Sequence, residues 1–244
     1  NEFTEGEYLT MVTRQGVIKK TLLSEYEYQR KGGKIAINLD EGDELIFVRH
    51  TTGEESLILA TKNGLAVRFD ENNVRSMGRT AHGVKGITLG EGDFVIGVAV
   101  VDESRKLLTI TEGGLGKRTE FADFREMKHR GGKGVTCHKL SEKTGKLASI
   151  LTVSDDDDIM IITNEGTIIR TSVSKINVYS RTATGVILMR LDEGAIINNI
   201  ARLEKTEEIE KESLEVDKEI ENTPQPVQTS APEREALDSE EESF

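Results

Sequence analysis

The sequence predicts an all-β fold, a propeller-like array of four-stranded blades, four blades in all, followed by a disordered C-terminal tail. The first observation is a repeat. A Thr-x-x-Gly marker stands at Thr13 and Gly16, Thr61 and Gly64, Thr111 and Gly114, and Thr163 and Gly166, with its glycines 48, 50 and 52 residues apart. A period near 50 is the signature of stacked β units, each too small to bury its own apolar face. The second observation is that proline is absent from residues 1–203, which suits strands that need every N–H. The third is the abrupt loss of pattern after Leu203.

Each unit repeats one order of elements. An apolar run leads into the marker, at residues 8–13, 57–61, 107–111 and 159–163. These runs are rich in Leu, Ile, Val and Thr, which favour a pleated, half-buried surface. The marker glycine then reverses the chain, since glycine takes positive φ freely. A second run follows, such as Leu65-Ala66-Val67-Arg68, and then a polar, basic loop. A third run stands at residues 35–39, 86–89, 135–140 and 186–191. An acidic glycine turn precedes the fourth run in three units, as in Glu41-Gly42-Asp43, and residues 141–146 replace it in the third. The fourth runs are residues 45–48, 94–100, 150–153 and 196–201. The units are therefore expected at 1–50, 51–101, 102–153 and 154–203, each a four-stranded blade. There are no Trp-Asp pairs of the WD40 kind and no kelch pattern.

Charge divides the chain in two. Of 44 acidic and 32 basic residues, 15 and 4 fall in 204–244, so the tail carries −11 of the net −12 and the body −1. The tail is dense in Glu and Lys, holds all three prolines, and reads as disordered. A near-neutral body can still present a basic stripe on one face. The single cysteine, Cys137, cannot form an internal disulfide, which fits a reducing cytosol. No apolar run is long enough to span a membrane, and no signal peptide is visible. The opening Asn1-Glu2-Phe3-Thr4 reads as an internal segment of a longer protein.

The basic residues recur with the fold. Four positions after each marker glycine stands a cation: Lys20, Arg68, Arg118 and Arg170. Recurrence at one offset is expected to line these side chains along one rim. A second set lies in the glycine loops before the third runs: Arg30, Lys31 and Lys34; Arg79 and Lys85; Arg130 and Lys133; and Arg181. Glycine lets a backbone approach a phosphate closely, and Arg and Lys supply charge. These twelve residues are the candidate contacts to double-stranded DNA, holding its backbone without reading sequence. No aromatic residue interleaves the loops, so stacking on single strands is not expected.

No catalytic or metal-binding residue is expected. No Walker A pattern is present, and His50, His82, His129 and His138 have no paired ligand spacing. The run of aspartates at 155–158 lies between two strand runs and reads as an exposed turn. Tyr8, Tyr26, Tyr28 and Tyr179 lack the arginine-tyrosine context of a strand-cleaving nucleophile.

The loops also carry a family resemblance. Gln29-Arg30-Lys31-Gly32-Gly33-Lys34 resembles the Gln-Arg-Arg-Gly-Gly-Lys-Gly box of the C-terminal DNA-wrapping domain of bacterial DNA gyrase A, part of a type IIA topoisomerase. Lys31 replaces the second Arg of that box, and Ile35 its final Gly. Residues 130–134 are similar to its second half, and the likeness covers about 1–203 together with the acidic tail. It runs through Arg68-Phe69, Gly78-Arg79-Thr80, Gly116-Lys117-Arg118-Thr119 and Gly185-Val186-Ile187-Leu188. By register the units look like blades three to six of that domain, so its main box would lie outside this chain. The resemblance implies a β-pinwheel, a propeller-shaped domain with strand exchange between blades, whose basic rim bends duplex DNA. It implies that ATP-dependent strand passage then introduces negative supercoils, with ATP and Mg bound elsewhere and no cofactor here. Implied partners are the rest of gyrase A, and gyrase B, in an A2B2 enzyme, cytoplasmic and nucleoid-associated, with no membrane. Two alternatives stay open: the C-terminal domain of the A-type subunit of topoisomerase IV, and a propeller-type protein-interaction module.

Overall fold

A computed structural model describes residues 6–28 and 31–203. The chain divides by contacts into Asn1–Glu204 and Lys205–Phe244. The tail, Arg30 and the opening Asn1-Glu2-Phe3-Thr4 lie outside the described residues.

Among the described residues sixteen strands follow in order. The first unit has β1 (Tyr8–Thr13), β2 (Val17–Leu22) and β3 (Leu45–Thr51). The second has β4 (Ser56–Thr61), β5 (Leu65–Asp70), β6 (Val84–Lys85) and β7 (Val95–Val100). The third has β8 (Lys106–Thr111), β9 (Leu115–Glu120), β10 (Glu126–Met127), β11 (Val135–Thr136) and β12 (Leu147–Val153). The fourth has β13 (Asp158–Thr163), β14 (Ile168–Ser172), β15 (Val186–Ile187) and β16 (Ile197–Leu203). The helical content of the described residues is four short 3-10 turns, each directly after the second strand of its unit.

The marker threonine has a physical role. In every unit its carbonyl accepts the N–H of the marker glycine, and its hydroxyl accepts the N–H one residue further on. The turn is thereby closed twice, and the glycine carries φ between 76° and 86°. The following strand then pairs antiparallel with the first in all four units.

The third runs depart from the sequence expectation. They do not form full strands in their own units. Residues 35–39 and 86–89 hold no strand, residues 135–140 and 186–191 contribute only β11 and β15, and β6 lies just before 86–89. Each of these short strands pairs with the preceding blade: β6 with β2, β11 with β5, and β15 with β9. The glycine just before each one explains the exchange. Gly83, Gly134 and Gly185 take φ of 111°, 79° and 78°. A Cβ at Gly83 would lie 2.8 Å from the Ile18 carbonyl, one at Gly134 2.5 Å from that of Ala66, and one at Gly185 would meet that of Gly116. Only glycine lets the loop close onto the neighbouring strand. Gly33 has the same backbone sign, with φ 73°, and nothing within 4 Å of its Cβ position. The sheets are accordingly β3-β1-β2-β6, then β10-β5-β4-β7 with β11 on β5, then β12-β8-β9-β15, and finally the three-stranded β14-β13-β16.

The hydrophobic cores lie between blades. Along β4, Leu57 and Leu59 join Val12 and Ile18 of the first blade. Their neighbours Ile58 and Ala60 point the other way and join Leu107 and Phe121 of the third unit. Leu108 and Ile110 of β8 in turn meet Ile159 and Ile161 of β13. A strand covered on both faces reads as a continuous apolar run, although its side chains alternate. The fourth strands are innermost. Arg49 of β3, Val98 and Val100 of β7, Leu151 of β12 and Ile200 of β16 line one cavity of about 570 Å³.

Candidate nucleic-acid interface

The four strand cations do not form an open row. Lys20 is 4% exposed, lies 3.8 Å from the Glu71 carboxylate, and has its ammonium over the Tyr8 ring. Arg68 donates to the Phe121 carbonyl at 2.9 Å and to Glu103 at 2.7 Å. Arg118 is 6% exposed and donates to the Ile176 carbonyl and to Asp155. Arg170 remains partly exposed but pairs with Asp158 at 2.7 Å. The shared offset places Arg68 and Arg118 against the 3-10 turn region of the next unit. They staple blade to blade, and their charge is neutralised on the spot. Each of the four strand cations, expected along one rim, has a carboxylate partner within the chain.

The loop arginines form a second ladder. Arg79, Arg130 and Arg181 donate guanidinium N–H to the carbonyls of Ile35, Lys85 and Thr136, at 3.2, 2.7 and 2.8 Å. The N–H groups of Asn38, Thr88 and Lys139 donate to the carbonyls of Ala81, Gly132 and Ala183, at 3.3, 2.9 and 3.2 Å. Each basic loop is thus fixed to the third run of the preceding unit. The three guanidinium groups remain half-exposed, with only part of their donor capacity used.

Two buried lysines support the same loops. Lys19 in β2 and Lys117 in β9 are both 0% exposed. Lys19 Nζ donates to the carbonyls of Ala36 and Arg79. Lys117 Nζ donates to those of Ser180 and Arg181, each at 2.7 Å. Burial pulls both amines below the ordinary lysine range, Lys117 to about 8. His138 adds a further tie, with Nε2 2.8 Å from the Thr184 carbonyl and Nδ1 2.9 Å from the Thr109 hydroxyl.

The unpaired positive charge sits on the outer edges. Lys31, Lys85 and Lys133 are exposed, and their side chains make no hydrogen bond or ion pair among the described residues. Lys34 donates to the Glu25 carbonyl at 3.1 Å. Lys85 lies in β6, the outermost strand of the first sheet, and Lys133 stands two residues before β11 at the edge of the second. Sequence reasoning missed Arg75, Arg125, Lys128 and Arg190, which are exposed and unpaired in the same sense. Arg75 and Arg125 are 50 residues apart, and each follows a 3-10 turn (Glu71–Asn73 and Phe121–Asp123) by two positions. The repeat period would have found them.

Among the described residues no group of three or more His, Cys, Asp or Glu side chains could hold a metal ion. The aspartates at 155–158 do not form a simple exposed turn. Asp157 and Asp158 are 6% and 7% exposed. Asp155 pairs with Arg118 and Lys106, Asp157 with Arg105 and Arg202, and Asp158 with Arg170. The run is a hub of ion pairs rather than a cation site.

Strand-exchanged blades with fixed, glycine-hinged basic loops on their outer edges define a module suited to binding an extended polyanion. A family model described as DNA gyrase C-terminal domain, beta-propeller, matches residues 7–52, 55–102, 105–154 and 157–204, and the chain belongs to that family. It is 42% identical over 207 residues to the DNA gyrase A protein of Staphylococcus epidermidis, an alignment covering 84% of this chain and 23% of that protein. The chain therefore spans about a quarter of the length of this curated relative. Among solved structures it is similar to the C-terminal domain of DNA topoisomerase IV, with TM-score 0.80 and 28% identity over 90% of this chain and 68% of that one. It is also similar to a DNA gyrase A C-terminal domain, with TM-score 0.74 and 28% identity over 83% and 67%.

Proposed function

We propose that this chain is the non-catalytic DNA-wrapping part of a DNA gyrase A polypeptide, bending duplex DNA around the outer edges of its blades. The observation that carries this reading is the set of unpaired cations on consecutive outer edges, in a chain whose four repeats all match the gyrase family model. Phosphates of a smooth duplex recur at regular spacing, so a periodic row of cations contacts them without reading bases. Bending stiff DNA through a large angle costs on the order of several kcal/mol, and many weak contacts along the rim offset it. In the whole enzyme the wrap would set the DNA crossing whose ATP-driven passage gives negative supercoils. The partners would be the rest of gyrase A, and gyrase B, in the cytoplasm on the nucleoid. From the register of their loops, we read the four units as the counterparts of blades three to six of the family's domain.

A second reading has one observation in its favour. The fold overlays on the topoisomerase IV domain with a slightly higher TM-score than on the gyrase domain. The 42% identity to gyrase A favours gyrase. Ligation of nicked circular plasmid in the presence of the chain separates the two. A linking-number shift that grows with protein supports wrapping. Binding without a shift favours the second reading, and no binding even at low salt removes both.

A further inference from the structure

The basic loops are of two kinds, and they alternate. Arg79-Thr80-Ala81-His82-Gly83 and Arg181-Thr182-Ala183-Thr184-Gly185 share one pattern. Residues 30–34 and 130–134 share another, built on paired glycines. The strand position three residues after the marker glycine alternates in step: Lys19, Val67, Lys117, Ile169. Both lysines are buried, and both reach the Arg-Thr-Ala kind of loop. The loop at 130–134 faces the unit that carries Val67 and receives no such ammonium. Within the repeat of about 50 residues there is therefore a second repeat of twice that length, in which a buried cation and a loop type occur together.

Hydrophobic packing alone gives no reason to bury a lysine, because desolvating an ammonium is costly. Its effect on the loop is specific. A trans peptide holds its C=O and the next N–H on opposite sides. With the Ser180 and Arg181 carbonyls turned inward to Lys117, the N–H groups of Arg181 and Thr182 point outward. The Arg79 carbonyl on Lys19 turns the Thr80 N–H outward in the same way. None of these three N–H groups has an acceptor among the described residues. Thr80 and Thr182 are exposed; the half-exposed guanidinium of Arg181 donates to the Thr136 carbonyl, and that of Arg79 donates to the Ile35 carbonyl and lies 3.9 Å from the Glu25 carboxylate. Outward N–H groups backed by a fixed positive charge form an anion-binding concavity.

We propose that the two Arg-Thr-Ala loops are backbone phosphate sites, the first offering the Thr80 N–H and the second the Arg181 and Thr182 N–H groups to a phosphodiester oxygen of duplex DNA, with Lys19 and Lys117 as the positioning residues that turn the peptide planes. This rests on the DNA-binding reading and adds to it a contact that no side-chain census reveals.

The test uses the full chain labelled with 15N and a short blunt DNA duplex at low salt. In the wild type the amide signals of Thr80, Arg181 and Thr182 should move on adding duplex. Lys117→Met should abolish the movement at Arg181 and Thr182 and leave Thr80 responding. Lys19→Met should do the reverse. Each variant should bind duplex about tenfold more weakly, the worth of a charge-assisted hydrogen bond. Should either variant fail to fold, the wild-type signals and the other variant decide. If duplex binds and the shifts are confined to the neighbourhoods of Arg75, Lys85, Arg125 and Lys133, this inference is overturned while the DNA-binding reading stands. If no amide moves at all, the DNA-binding reading falls first.

Discussion

Lys117, Cys137 and His138 lie close together behind the joint between the third and fourth units, and burial moves each away from its charged form. The Cys137 thiol is pushed up to about 12 by burial. It should resist alkylation at neutral pH until the chain unfolds, which labelling across a denaturant series would read. His138 is lowered to about 4, first by burial and then by the Lys117 charge. Between that value and the ordinary 6.5 the unfolded chain binds more protons than the folded one. Stability from this group is therefore complete above about pH 6.5 and falls as pH drops toward 4, by up to about 3 kcal/mol. His138→Gln should weaken the decline in melting temperature between pH 7 and pH 5. An unchanged decline would place the titrating group elsewhere.

At the scale of elements, strand exchange makes two glycines with similar backbone angles unequal. Gly134 sits with φ 79° against the Ala66 carbonyl, whereas Gly33 sits with φ 73° in open space. Gly134→Ala should cost at least about 2–3 kcal/mol, through clash as well as backbone strain. Gly33→Ala should cost only about 1 kcal/mol, the penalty of the left-handed region alone. Chemical denaturation of the two variants measures the difference, and equal losses would refute the exchanged pairing. The same pairing limits what the third runs could reveal. Their apolar residues announced burial, but the partner of each short strand lies in another unit, and residues 35–39 read as a strand without forming one.

For the whole molecule, the division of labour among cations gives opposite outcomes for two sets of variants. Replacing Arg75, Lys85, Arg125 and Lys133 together with Ala should leave folding intact. It should lower the slope of log affinity against log salt by about 0.9 for each phosphate contact removed. Arg118→Ala should leave that slope unchanged and instead destabilise the chain by about 1–3 kcal/mol, since it leaves the Ile176 carbonyl without its donor while the exposed Asp155 keeps Lys106. A flattened slope in Arg118→Ala would return the strand cations to the DNA surface.

Much was determined by the sequence alone, because local chemistry repeats locally. Thr-x-x-Gly closes a hairpin from within its own residues, so its fourfold recurrence fixed the number of units, the first, second and fourth strands of each and the all-β class. The basic loops were legible for the same reason, and so was the family. Only the tertiary structure decided where each charge ends up. Lys20, Arg68 and Arg118 share an offset with one another because they share a joint, and a joint between blades is invisible until the blades are stacked. Lys19 and Lys117 read as ordinary strand lysines, yet the loops that cover them come from the next unit, 60 or more residues away. Periodicity specifies which side chains are equivalent. Long-range packing decides whether equivalent means exposed to a ligand or buried against a neighbour.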